Sequence, residues 1–143
     1  MRVKQISVFL ENKSGRLVDV SRILGEHRVN IRALAIAETA DYGVLRLIVN
    51  DPDLATDILK DAGFAVSETD VIAVEIPDEP GGLSKALEPL QSAGINVEYL
   101  YSFVEKSGES AIVVFRVEDL EKGILALEKA GITIMKGDDV YRL

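Results

Sequence analysis

The chain alternates apolar and polar residues almost from its start. Ile6, Val8 and Leu10 fall on one side of "VKQISVFL", the period of two that marks a strand with one buried face. The period then changes. Leu17, Val20 and Leu24, with Ile23 beside them, recur at helical spacing, Ser14 offers a hydroxyl to cap the start, and the pattern ends in "EHRVN". Two β-rich runs, "NIRALAIAE" and "GVLRLIVN", flank "TADYG", whose Asp and Gly favour a turn, so they predict a hairpin. In "NDPDLATDILKDAG", Asp51 is placed to cap a second helix and Pro52 to fill its first position; Leu54, Ile58 and Leu59 form its stripe and Gly63 its stop. "FAVSE" predicts a short returning strand.

The same order then recurs. Gly15 and Gly81 are 66 residues apart, and that shift also places Ile6 on Ile72, Val8 on Val74, Leu17 on Leu83, Val29 on Ile95 and Asn30 on Asn96. Later the register slips, and "KDAGF" falls on "EKAGI" at an offset of 68. The second copy reads "VIAVEI", a helix over residues 83–93, "INVEYLYSFV", "ESAIVVFRV", a helix over 119–130, and "ITIM". Strand, helix, strand, strand, helix, strand is the split βαβ order. The chain is therefore expected to be α+β, two tandem ferredoxin-like βαββαβ units over residues 1–70 and 71–143, each an antiparallel sheet with helices on one face. "DDVYRL" is left over, to serve as an edge strand or to tie down the terminus.

Composition narrows the chemistry. The 143 residues carry a net charge of −8, which repels nucleic-acid backbones and anionic membrane surfaces. Basic residues are scattered singly, and there is no tryptophan to stack on bases. Cysteine is absent, which removes disulfides, thiolate nucleophiles and thiolate metal sites. No apolar run approaches the roughly 20 residues of a membrane span, and the first residues meet charge too soon for a signal peptide, so a cytoplasmic location is expected. His27 is the sole histidine and reads as a solvated helix end; no metal site is expected. Acidic pairs such as Asp138 with Asp139, or Glu118 with Asp119, read as turn and cap residues. No nucleophile elbow, phosphate loop or dinucleotide fingerprint is present, so neither catalytic residues nor a cofactor are expected.

The strand-to-helix turn is what repeats. A helix start leaves free N–H groups at its positive end, which can hold a carboxylate, and glycine lets a ligand approach the backbone closely. Residue chemistry alone favours the simpler reading, that Gly15, Gly81 and Gly82 make a tight turn.

"LENKSGRL" through "HRVNI", and "IPDEPGGL" through "AGINV", resemble the opening strand, loop, helix and second strand of ACT domains, the small-molecule-binding regulatory modules of amino-acid metabolism. The chain resembles a free-standing tandem ACT-domain protein with no attached enzyme. Each motif is weak alone; their duplication in order over the full length carries the resemblance. It implies an amino acid or related small carboxylate held at an interface between ACT units, a homodimer, and a partner enzyme of amino-acid metabolism. By position it implicates Leu10, Glu11, Asn12, Lys13, Ser14, Gly15, Arg16 and Leu17 with Asn30 and Ile31. In the second copy it implicates Ile76, Asp78, Pro80, Gly81, Gly82 and Leu83 with Asn96 and Val97. Asn12 and Asp78 are equivalent; Asn donates and accepts while ionised Asp only accepts, so the two sites need not be equal. Ser14 stands where a proline is usual and Leu10 where some serine-binding members carry histidine, which argues against serine as ligand.

Tyr99, Tyr101 and Phe103 share one side of their strand, opposite in bulk to Ala33, Ala35 and Ala37 in the first copy. Two readings stand: an aromatic edge that seals a pocket against an alanine edge, or ordinary core packing. Two other functional classes also stay open. One is an interaction module that docks on an enzyme or transporter without a ligand. The other is an acylphosphatase-like hydrolase on the same fold, for which Arg16 is the sole support.

Overall fold

A computed structural model of the chain describes residues 2–11, 13–38, 41–103 and 109–143. Two compact units emerge: Lys4–Thr69 with Tyr141–Leu143, and Asp70–Val140 with the N-terminal residues through Val3.

The first unit holds β1 (Val3–Glu11), α1 (Arg16–Glu26), β2 (Ile31–Glu38), β3 (Tyr42–Val49) and α2 (Pro52–Asp61). β3 lies antiparallel between β2 and β1, with Leu10 opposite Gly43 and Ile36 opposite Leu45. Ile6, Val8 and Leu10 of β1, Leu45, Leu47 and Val49 of β3, Val20 and Leu24 of α1, and Ala55 and Leu59 of α2 form one apolar core beneath the helices. Strand alternation and the helical stripes meet there, and burial of such side chains is the main stabilising term, about 1.5–3 kcal/mol each. Asp51 caps α2 by accepting from the Leu54 N–H at 3.2 Å, with Pro52 at the first turn and Gly63 in the left-handed region just beyond the helix.

The second unit repeats the plan with α3 (Gly82–Ser92), β5 (Val97–Ser102), β6 (Ser110–Val117), α4 (Leu120–Lys129) and a two-residue β7 (Thr133–Ile134). Its core matches at every one of these positions but one, with Gly123 standing where the first unit has Ala55: Ile72, Val74 and Ile76, Ala86 and Leu90, Val113, Phe115 and Val117, and Leu127. Asp119 caps α4 by accepting from the Lys122 N–H at 3.2 Å.

Three expectations change. "FAVSE" and "VIAVEI" are one 13-residue strand, β4 (Ala65–Pro77), since no Gly, Pro or Asn between them breaks the extended run. Ser14 does not cap α1: the cap position is Gly15 at φ 92°, with no side-chain bond, because the loop swings through a left-handed turn before the helix starts. "DDVYRL" gives no strand. Gly137–Tyr141 form a short helix, α5, whose Val140 is fully buried, while the Tyr141 hydroxyl accepts from the Lys4 N–H at 2.9 Å.

The residues of the aromatic stripe are not members of the apolar core beneath the helices of the second unit, and Tyr99 is only partly buried. Tyr101 and Phe103 are buried, and so is Ala33.

Candidate functional site

The two strand-to-helix corners have the same chain order and different interiors. In the first, β1 ends at Glu11, the chain turns through Gly15, and α1 begins at Arg16. The Asp19 N–H reaches the Gly15 carbonyl at 3.0 Å, whereas the N–H groups of Leu17 and Val18 have no acceptor among the described residues. Such donors at a helix start attract a carboxylate. Gly15 has nothing within 4 Å of where a Cβ would sit, so its backbone is open to solvent. Asn12 lies outside the described residues.

Beside this corner is a pocket of about 90 Å³. Roughly 10–15 Å³ of such space holds one water, so the pocket has room for a small molecule of several heavy atoms. Leu10, Leu17 and Ile36 form its apolar wall, Gly43 lies at its edge, and Glu11, Lys13 and Arg16 supply charge of both signs. Glu11 and Lys13 pair at 2.8 Å, and Arg16 pairs with Asp19 at 3.1 Å. The Lys13 hydrogen bond and charge hold the Glu11 carboxyl below the ordinary glutamate value of 4.5. These side chains remain substantially exposed, so the pairs stay open to exchange with a ligand. Ser14, exposed, does not line the pocket.

The second corner is folded in on itself. A Cβ on Gly82 would lie 2.0 Å from the Pro77 carbonyl oxygen, so glycine is required there by close main-chain contact. The Gly82 N–H donates to Glu79 O at 3.0 Å, as the equivalent Arg16 N–H donates to Lys13 O at 3.4 Å in the first corner; the N–H groups of Leu83 and Ser84, like those of Leu17 and Val18, have no acceptor among the described residues, and the Ser84 hydroxyl donates to Gly81 O at 2.8 Å. The Asp78 N–H donates to Glu109 O at 3.0 Å. Glu79 pairs with Lys85 at 3.1 Å. Pro80 is exposed, Leu83 is partly so, and Ile76 belongs to the core.

Asn30 and Ile31 do not join the Gly15 corner within their own unit. They follow the far end of α1, and its 11 residues span about 16 Å. The Asn30 N–H donates to Asn50 Oδ1 at 2.8 Å, and Asn30 O accepts from the Asn50 N–H at 3.1 Å. In the second unit Asn96 O accepts from the Glu118 N–H at 3.1 Å, and Val97 begins β5. Conversely, Ile36 and Gly43 line the first pocket and were not singled out from the sequence. The signal available was register: Gly43 directly opposes Leu10.

An apolar groove of about 250 Å³ runs between α1 and β2, from Leu17 and Val18 past Leu34 to Ile31. Leu17, Val18, Leu34 and Ile36 are each about half exposed, at 48, 53, 48 and 47%. In the second unit a groove beside α3 is lined by Ser84, Glu88 and Gln91 among its apolar residues.

Nothing among the described residues gathers three or more metal-ligating side chains, and no helix there is long and apolar enough to cross a membrane. His27 closes α1, its Nδ1 within 2.9 Å of Ile23 O, as a helix-end residue would.

No match was found among curated proteins. Among solved structures, a Bacteroides thetaiotaomicron protein superposes with a TM-score of 0.94 at 44% identity, over 100% of this chain and 98% of that one. The ligand-free regulatory subunit of aspartate kinase from Thermus thermophilus shares the fold at a TM-score of 0.64 and 18% identity, over 89% of this chain and 91% of that one. The corresponding Thermus flavus subunit gives 0.61 and 18%, over 90 and 92%. The profile of the ACT domain pair matches residues 1–141, and with two βαββαβ units in that span the chain belongs to the ACT domain pair family.

Proposed function

We propose that this protein is a non-enzymatic regulator or sensor that binds a small amino acid or related carboxylate at the corner where β1 passes into α1. The observation that carries the reading is the pocket beside Gly15: an apolar wall, charges of both signs and main-chain N–H groups with no acceptor among the described residues, within one turn. An amino-acid zwitterion needs those three things. Its carboxylate suits the Leu17 and Val18 N–H groups with Lys13 and Arg16; its ammonium suits Glu11.

The ligand is held at an interface with the same unit of a second copy, and the protein acts as a homodimer. The half-exposed apolar strip on α1 and β2 supports this, because a second copy would cover it. The distance between Gly15 and Asn30 supports it too: two β2 edges running antiparallel would bring one copy's Asn30 end toward the other's Gly15 corner. Ligand binding then shifts the population of one dimer arrangement, and regulation follows from the difference in affinity between arrangements. A partner enzyme of amino-acid metabolism would read that difference, in the cytoplasm.

A thermal-shift screen against the twenty amino acids tests the reading. Ligand at a hundredfold excess over Kd adds about 2.7 kcal/mol. For a chain of this size that raises Tm by about 5–11 °C. A flat response to all twenty would favour the interaction module that docks on a partner without a ligand.

A further inference from the structure

The helices α1 to α4 each close in the left-handed region one residue beyond the cap, and α2, α3 and α4 do so on glycine: Gly63, Gly94 and Gly131, at φ 92, 71 and 76°. α1 closes on Arg28, at φ 58°. Glycine takes that conformation without the crowding an L side chain suffers. A cation can be drawn to the negative end of a helix, but α3, which like α1 has no basic residue in its last turn, closes on Gly94 without one. Helix closure therefore does not account for the arginine. Strain kept at an exposed position is a sign that the side chain is used. Arg32 gives an independent sign. The ladder with β3 shifts between Ile31 and Ala33, so Arg32 is the extra residue of a bulge, and its Nε is buried with no acceptor among the described residues. Buried donors are almost always paired, so a missing acceptor carries information.

Between the two arginines, Val29 is buried and Ile31 packs against the core, which leaves Asn30 exposed with Arg28. No side-chain hydrogen bond or ion pair ties Arg28, Asn30 or Arg32 to another described residue. By contrast Lys4, Lys13, Arg16 and Arg22 each pair with a carboxylate. We infer that the run from Arg28 to Arg32, where α1 gives way to β2, is an anion site, in which two guanidinium groups and the Asn30 amide take an oxyanion, a carboxylate or a phosphate. Guanidinium matches the paired oxygens that both present. Four residues of extended chain put the arginine Cα atoms about 13 Å apart, a gap that two long side chains close from either end. The second unit carries Gly94, Asn96 and Glu98 at the same positions, so both cations are missing there and an acid replaces one. The site lies at the opposite end of α1 from Gly15, and all its contacts come from one chain, so it stands or falls apart from the proposed amino-acid pocket.

Titration of the isotopically labelled full chain with inorganic phosphate and with succinate, each against sodium chloride at matched ionic strength, tests this. The expected result is saturable movement of the Arg28 and Arg32 Nε–H signals and of the Asn30 side-chain amide; whichever of phosphate and succinate binds tighter identifies the source of the oxyanion. Affinity should fall at least about tenfold in Arg28→Gly and in Arg32→Gln, because each loses a hydrogen bond between charged groups. Arg28→Gly also separates recognition from structure. With the left-handed strain removed it should melt at or above the wild type, whereas Gly94→Arg, the reverse change where a Cβ meets nothing within 4 Å, should melt lower and leave anion affinity unmoved. Signals that neither titrant moves, movement that chloride reproduces, affinity unchanged in both arginine variants, or Arg28→Gly melting below the wild type would overturn the inference. Each of these outcomes leaves the pocket beside Gly15 untouched, and failure of every amino acid to bind there would leave this site standing.

Discussion

Replacing either corner glycine by alanine separates the two corners by stability. Gly15 sits at φ 92°, so alanine there bears left-handed strain of about 1–2 kcal/mol but meets no atom within 4 Å. Gly82 has no positive φ, and its difficulty is contact: its Cβ would fall 2.0 Å from the Pro77 carbonyl oxygen. That atom is main chain, so relief requires the β4–α3 corner to move by more than an ångström. Overpacking of this kind costs about 1–3 kcal/mol. Loss of the turn bond from Gly82 N–H to Glu79 O adds about 0.5–1.5 kcal/mol. Both variants gain about 0.4–1 kcal/mol from a less free unfolded chain, which cancels in the comparison. The midpoints of those ranges leave Gly82→Ala roughly 1–2 kcal/mol less stable than Gly15→Ala. In a chain of this length the difference appears as a Tm about 2–8 °C lower, measured by calorimetry alongside urea melts. If Gly82→Ala melted at or above Gly15→Ala, the Pro77–Gly82 contact would not close the second corner as described.

Two further outcomes concern charge and surface. Because Lys13 holds the Glu11 carboxyl below 4.5, any ligand or stability contribution that needs Glu11 ionised is present above the unfolded value and lost only as pH falls through the depressed folded one. Affinity followed by titration calorimetry should therefore fall only at a lower pH than an ordinary glutamate would give, and Lys13→Gln should move the loss to higher pH; a pH profile unmoved by Lys13→Gln would show that Glu11 does not hold the ligand. Val18→Glu and Leu34→Glu place charge on the half-exposed α1–β2 strip and should yield folded monomers by sedimentation velocity, whereas an unchanged dimer would move the interface elsewhere.

Much of the fold was legible because two independent signals agreed. Period-two runs ending in Leu10 and Ile76, and helical stripes ending in Leu24 and Leu90, repeat at one spacing, and the core uses both sets. The missed elements lacked such agreement. β4 reads as two strands only because the duplication invites a break between the copies; backbone chemistry at Glu68 to Asp70 offers none. The terminal helix is too short for a helical period to show. The candidate site was legible as a loop and illegible as a pocket. Ile36 and Gly43 belong to it through strand register, which a one-dimensional reading fixes only by inference. Asn30 was grouped with Gly15 by family position, and the length of α1 keeps them apart within one unit. The closure of the second corner depends on a main-chain contact from Pro77 to Gly82, five residues on, which a P-G-G sequence allows without announcing.

A metabolite seated at the first corner must change the environment of the amides that hold it. Two-dimensional amide spectra of the labelled protein, recorded while the tightest-binding amino acid is added, locate the contact residue by residue. The expected result is saturable movement of the Leu17 and Val18 amide signals with those of Leu83 and Ser84 unmoved. Movement confined to Leu83 and Ser84, or saturable binding that leaves all four in place, would contradict the account.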